Sequence, residues 1–277
     1  MRSKLVWLVA ILIVIASVFS MVGKTSTNTS EFKPLEINPG DEFTYIDYGN
    51  TMYVLNYIME DVNGDNTKDM VIAIGEKADT EDLEYNNIDV VVFEPVEGKF
   101  HSLKLKKFNG KMPTIYVQEL TGDGILDIVI TAQEKNLSLR IVSYNGKEFK
   151  EIFKQRDNKG LVFAGSFIDG FKAYIKNTQY KKEANIDLQD RKENYITSQF
   201  YDDSGRLLKD GYKISTTGFC AFDLVQLDNY YGIQTTQRII GFSEDDLIDE
   251  IKVIWKYEDG KWNVKEAKGL NIGNILY

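Results

Sequence analysis

The chain has one cysteine, Cys220, and one histidine, His101. An internal disulfide needs two cysteines, so none can brace this fold. Clusters of imidazole and thiolate ligands are excluded on the same ground, as is a catalytic pair of histidines. Basic residues are also in short supply. There are 33 Lys and Arg against 42 Asp and Glu, a net charge of -9. Proteins that grip nucleic acid neutralise phosphates with Lys and Arg, so no nucleic-acid partner is expected. No P-loop, Gly-x-Ser-x-Gly or dinucleotide fingerprint is present. With no His pair and no Cys in a nucleophile motif, a binding role is favoured over an enzymatic one. Paired carboxylates, which suffice for a glycosidase, stay open among 42 acids.

Long apolar runs are scarce too, except at the N-terminus. Arg2 and Lys4 precede an uncharged stretch, 5–22, whose only polar residues are Ser17 and Ser20. It is long enough to cross a bilayer as a helix, and the cations before it keep the N-terminus inside. It reads either as a signal anchor or as a signal peptide cleaved after Ser20, with Val18 at the -3 position. The protein is then a single-pass cell-membrane protein with its C-terminal part outside, or a secreted one. No cysteine stands just after the run, the only one being Cys220, so a lipid-modified leader is not expected. Residues 23–40 are polar and small, then punctuated by Pro34 and Pro39-Gly40, and read as a flexible linker.

From 41 to 277 the apolar pattern has period two, rich in β-branched and aromatic residues, which predicts an all-β domain. A hairpin with a glycine turn recurs four times, at Gly98, Gly146, Gly205 and Gly260. Two strand-like runs precede each hairpin: 52–59 and 70–75, then 114–118 and 127–132, then 161–166 and 171–176, then 222–227 and 236–242. Four strands per repeat is the content of a propeller blade. The expected fold is a small or partial β-propeller of about four four-stranded blades, with 41–48 available to complete the last. A pair of stacked antiparallel sheets is the alternative.

One loop points to metal chemistry. Asp61-Val-Asn63-Gly64-Asp65-Asn66-Thr67-Lys68-Asp69 places oxygen side chains at positions 1, 3, 5 and 9, with the Thr67 carbonyl at 7. Ca²⁺ takes about 6–8 hard oxygen ligands, and such a loop supplies five before water. It is not an EF-hand, because Asn66 and Ile72 stand where that loop needs Gly and Glu, and a strand-like run follows. A solvated acidic turn is the plainer reading. A weaker copy uses Glu119, Thr121, Asp123, Ile125 and Asp127. The third and fourth units lack the pattern and are not expected to bind. The acidic run 243–250 is expected to be solvated, His101 to lie at a surface or edge, and Cys220 to act as a small buried hydrophobe.

Across 61–75 and 121–130 the sequence resembles the FG-GAP/VCBS repeats of integrin-α-type propellers. That resemblance implies an extracytoplasmic adhesion or recognition module in which Ca²⁺ stabilises the blade. The partners implied are the membrane, through 5–22, and a cell-surface protein or polysaccharide. Tyr180, Tyr212, Tyr230, Tyr231 and Trp255 are candidates to stack on sugars or anchor a protein. The alternative function is an extracytoplasmic carbohydrate-active enzyme using paired carboxylates on the same scaffold.

Overall fold

A computed structural model describes residues 35–78, 83–177, 179–209 and 211–276. The apolar run 5–22 and residues 23–34 of the linker lie outside the described residues. Among the described residues, no helix is long and apolar enough to cross a membrane.

The domain is all-β and antiparallel, built as two eight-stranded sheets. The first sheet begins with the meander β1 (Tyr53–Glu60), β2 (Asp69–Lys77), β3 (Glu84–Glu94) and β4 (Lys99–Leu103). A second meander follows: β5 (Gly110–Gln118), β6 (Asp127–Gln133), β7 (Leu137–Tyr144) and β8 (Phe149–Phe153). The long β3 fuses the two, pairing Glu84 with Lys111 and Tyr85 with Gly110. The middle strands β2 and β6 carry Met70-Val-Ile-Ala-Ile74 and Ile128-Val-Ile-Thr-Ala132, buried on both faces. β-Branched side chains suit that pleated setting. Segment 41–48 does not complete a last blade. It joins the first meander, where the Phe43 N–H donates to Met52 (2.8 Å) and Glu42 bridges Tyr53.

The second sheet runs β11-β10-β9-β12-β13-β14-β15-β16. Its strands are β9 (Phe163–Ile168), β10 (Lys172–Asn177), β11 (Lys182–Asp187), β12 (Lys213–Gln226), β13 (Tyr231–Ile240), β14 (Leu247–Glu258), β15 (Lys261–Gly269) and β16 (Gly273–Asn274). Here the four-blade expectation breaks down, and the alternative of two sheets is what forms. The third hairpin, expected around Gly205, is reduced to one isolated bridge between Tyr201 and Leu207. Before it, Lys192–Thr197 forms a short helix, α1. Leu188, Tyr195, Phe200 and Tyr201 are each at most 2% exposed and pack with Phe167 and Phe171. The segment therefore covers the sheet as a cap instead of adding strands to it. β11 takes the place beside β10 that the hairpin would have filled, and β12 pairs with the other side of β9.

From Glu36 onward the chain is one compact unit, and among the described residues three apolar clusters hold it. One lies within each sheet, the second of them roofed by α1. The third joins the sheets: Leu120, Val129, Leu139, Ile141 and Phe153 from the first meet Phe219, Ile233 and Tyr257 from the second. Strand alternation explains the sharing, since Ile128 and Ile130 face the first sheet's own core while Val129 faces the joint one.

Candidate metal centre

The loop 61–69 joins β1 to β2 and is wound on its own side chains. Asp61 Oδ1 accepts the Gly64 N–H (2.7 Å) and Asp61 Oδ2 the Asn66 N–H (2.8 Å). Asn63 Oδ1 accepts from Asp65 N (3.0 Å), and Asp65 Oδ1 from Thr67 N (2.7 Å). Such side-chain-to-backbone turns are what Asp and Asn favour in tight loops. Gly64 and Asn66 adopt positive φ, 81° and 66°, which curls the chain back on itself.

Asp69 closes the loop at the first position of β2 and is 1% exposed. Its Oδ2 accepts the Val62 N–H (3.2 Å), while its Oδ1 is buried with no hydrogen-bond partner. Burial, and then the nearby Asp65, Glu94 and Asp61 carboxylates, push its pKa to about 7 against the opposing Val62 N–H.

The loop 119–127 repeats this arrangement before β6. Glu119 accepts the Gly122 N–H and Asp123 accepts the Ile125 N–H at 2.9 Å. Asp127, 1% exposed, accepts the Leu120 N–H (3.0 Å) through Oδ2, and its Oδ1 is again buried without a partner in hydrogen-bonding geometry. Thr121 Oγ1 is a second unpartnered buried oxygen in the same loop. Asp127 also rises to about 7, mainly through burial, with the Leu120 N–H and the Ser143 hydroxyl opposing and Asp123 and Glu119 adding. The two loops touch, because the Ile125 side chain packs over Gly64.

Sequence spacing therefore brings Asp61, Asn63, Asp65, Thr67 and Asp69 into one loop, and Glu119, Thr121, Asp123, Ile125 and Asp127 into its neighbour. Among the described residues, no cluster of three or more Asp, Glu, His or Cys side chains is ready-made for a metal. Several carboxylate oxygens are engaged with loop amides, though a carboxylate oxygen has a second lone pair to give. Buried oxygens without partners are costly, and a hard cation is one group that satisfies them.

Spacing missed Glu94. It ends β3, is 6% exposed, and accepts the Tyr144 O–H (2.8 Å) and Asn63 Nδ2–H (3.3 Å) through Oε1. Its Oε2 lies 3.4 Å from His101 Nε2, so the edge histidine does face a carboxylate. Burial and the Glu94 bond hold the Tyr144 phenol well above its ordinary pKa. The one local signal was an acid directly after the apolar run Val90-Val-Val-Phe93.

Two other expectations are corrected here. Cys220 is exposed instead of buried, with Sγ 3.3 Å from the Thr236 carbonyl, because it sits on the outer side of an irregular stretch of β12. The run 243–250 is not simply solvated. Asp246 accepts the Tyr195 O–H (2.7 Å), and Asp249 accepts the Asn271 and Ile272 N–H groups (both 3.0 Å), so each ties down a chain segment.

Residues 161–269 match the family model described as the YybI C-terminal domain. An uncharacterised protein, YybI, of Bacillus subtilis (strain 168), is 22% identical over 204 residues, covering 71% of this chain and 77% of that protein. No solved structure matches. No FG-GAP or VCBS family is found, so the resemblance drawn on 61–75 and 121–130 is corrected. Spaced Asp and Asn residues followed by an aliphatic strand satisfy a general need of tight loops entering a sheet, and that pattern is not specific to one family.

Proposed function

We propose that this chain is an extracytoplasmic recognition module, held at the membrane by the apolar run 5–22, whose β domain is braced by Ca²⁺. The observation that carries the cation is the matched placement of two buried aspartates, Asp69 and Asp127, in two neighbouring loops, with Asp69 Oδ1 unpartnered and Asp127 offered only the Ser143 hydroxyl beyond its Leu120 bond. Ca²⁺ in the first loop would draw on Asp61, Asn63, Asp65 and Asp69 with the Thr67 carbonyl. The second loop would offer Glu119, Thr121, Asp123, the Ile125 carbonyl and Asp127. The β1–β4 and β5–β8 meanders keep the strand order of propeller blades, and each loop joins the first two strands of its meander. In this reading the cation is structural: it ties the entry of β2 or β6 to the strand before it and leaves the exposed edges for recognition.

Calorimetric titration with Ca²⁺ tests this directly. Saturating Ca²⁺ is expected to raise Tm, with about 2.7 kcal/mol of stabilisation at a hundredfold excess over Kd. Asp65→Ala is expected to remove most of the first loop's share. A wild-type titration with no heat and no shift in Tm would sink the cation claim.

A further inference from the structure

The two sheets meet along a seam that is open to solvent on one side. Three cavities of about 420, 460 and 450 Å³ lie along it. The first and second share Arg156, Lys159 and Val162, and the second and third share Lys135, Asn136 and Thr216-Thr217-Gly218. They therefore adjoin one another in that order as three compartments of the seam.

The first compartment is chemically distinct. Trp255 and Trp262, which flank the β14–β15 turn, line it together with Arg156, Lys159 and Lys261. Both indoles are fixed from behind: Trp255 Nε1 donates to Thr235 Oγ1 (2.8 Å) and Trp262 Nε1 to the Ile152 carbonyl (3.1 Å). Trp262 is further held edge-on against Phe153. Both tryptophans are half-buried, packed against the joint cluster, and both line the compartment. Three cations face a single carboxylate, Asp157, on a chain whose net charge is -9. Asp157 is already engaged with the Lys154 N–H (2.8 Å) and Arg156. Lys159 and Lys261 have no ion-pair partner among the described residues.

The Lys159–Gly160 segment that lines the compartment is fixed as well. Gln237, fully buried, accepts the Leu161 N–H (2.8 Å) and donates to the Lys159 and Thr217 carbonyls (3.0 and 2.9 Å). Gly160 packs so closely on that amide that no Cβ fits, at φ 56°.

We infer that this groove binds an acidic polysaccharide, with the Trp255–Trp262 compartment holding one sugar ring. Indole faces stack on the C–H faces of pyranose rings, and the lysines pair with carboxylate or phosphate substituents. This rests on the recognition reading above but not on its cation. A single, engaged carboxylate suits a compartment that holds a sugar, since glycoside hydrolysis uses two.

The test is a fluorescence titration of the full chain. Two of the three tryptophans in the sequence line the compartment, which makes it its own reporter. A hexamer of galacturonic acid is expected to give a saturable change and to bind about tenfold tighter than a neutral glucose hexamer. Lys159→Glu with Lys261→Glu, both at exposed positions, is expected to weaken the acidic hexamer at least about tenfold, with unchanged circular dichroism. Reversal of Lys192, an exposed residue of α1 next to Arg191, which bonds the Leu247 carbonyl at the far end of β14 from Trp255, serves as the control and is expected to leave affinity within about twofold.

Three results would overturn the assignment: no response to the acidic hexamer, equal affinity for the neutral one, or indifference to the paired reversal. A hexaglutamate peptide binding as tightly as the uronate would equally replace the saccharide with an acidic protein segment. Running the series with and without Ca²⁺ separates this inference from the cation. Lost glycan binding with a retained Ca²⁺ heat leaves the metal reading standing, and the reverse leaves the groove.

Discussion

Single side chains carry much of the conditional behaviour of this protein. Asp89, on β3, is 4% exposed and accepts the Leu105 N–H at 2.7 Å. Burial pushes its pKa up to about 6, with the Leu105 N–H and Lys104 opposing and Glu76 adding. An unfolded aspartate loses its proton near pH 3.9, so between that value and about 6 the folded state holds a proton that the unfolded state has released. The contribution of Asp89 is therefore greatest below about pH 4 and is lost as pH rises through about 6. Asp89→Asn keeps the acceptor for Leu105 and is expected to flatten that slope. Denaturant unfolding at pH 7 should read it as roughly 1–2 kcal/mol more stable than the wild type, after allowance for solvent screening. A variant with an unchanged pH profile would place the titration elsewhere.

Among the elements, the strands were legible where β-branched residues run together and obscure where they do not. The cores of β2, β3, β6 and β14 follow from runs such as Val90-Val-Val-Phe93 and Ile251-Lys-Val-Ile-Trp255. β11 escaped notice because Lys182-Glu-Ala-Asn-Ile-Asp187 buries only Ile186 and lies at a sheet edge. The third hairpin failed for the opposite reason. The stretch from Tyr195 to Tyr201 is aromatic enough for a strand, yet its buried residues pack against Phe167 and Phe171 from a short helix and the turn that follows it. Aromatic side chains serve either conformation, and tertiary packing decides between them.

The metal loops were readable because their ligand spacing is local. Glu94 and the tryptophan groove were not, because residues near 94, 156 and 262 are brought together only by the fold. Phe219 tests how far the joint cluster matters. It is fully buried between the sheets beside Phe153, so Phe219→Ala is expected to cost about 3–5 kcal/mol of unfolding free energy. A loss below 1 kcal/mol, on the order of a surface change, would mean that the sheets do not depend on that contact.

At the scale of the whole molecule, the two sheets have separate cores but share a seam. Along it the tryptophan groove opens, while the loop 119–127 is tied across it. The backbone carbonyl of Glu119 accepts the N–H of Tyr231, the first residue of β13, at 3.1 Å. The Tyr230 ring lies beside Gly122 in the same loop. That one bond makes the Tyr231 amide proton a clock for a loop belonging to the other sheet. If the proton meets solvent only when the loop opens, and the loop opens only when empty, a hundredfold excess of Ca²⁺ over Kd should slow its deuterium exchange about a hundredfold. Amides paired within the middle of the second sheet should slow far less. An exchange experiment at this single position would then show occupancy of one loop being signalled, without any change of shape, to the sheet that carries Trp255 and Trp262.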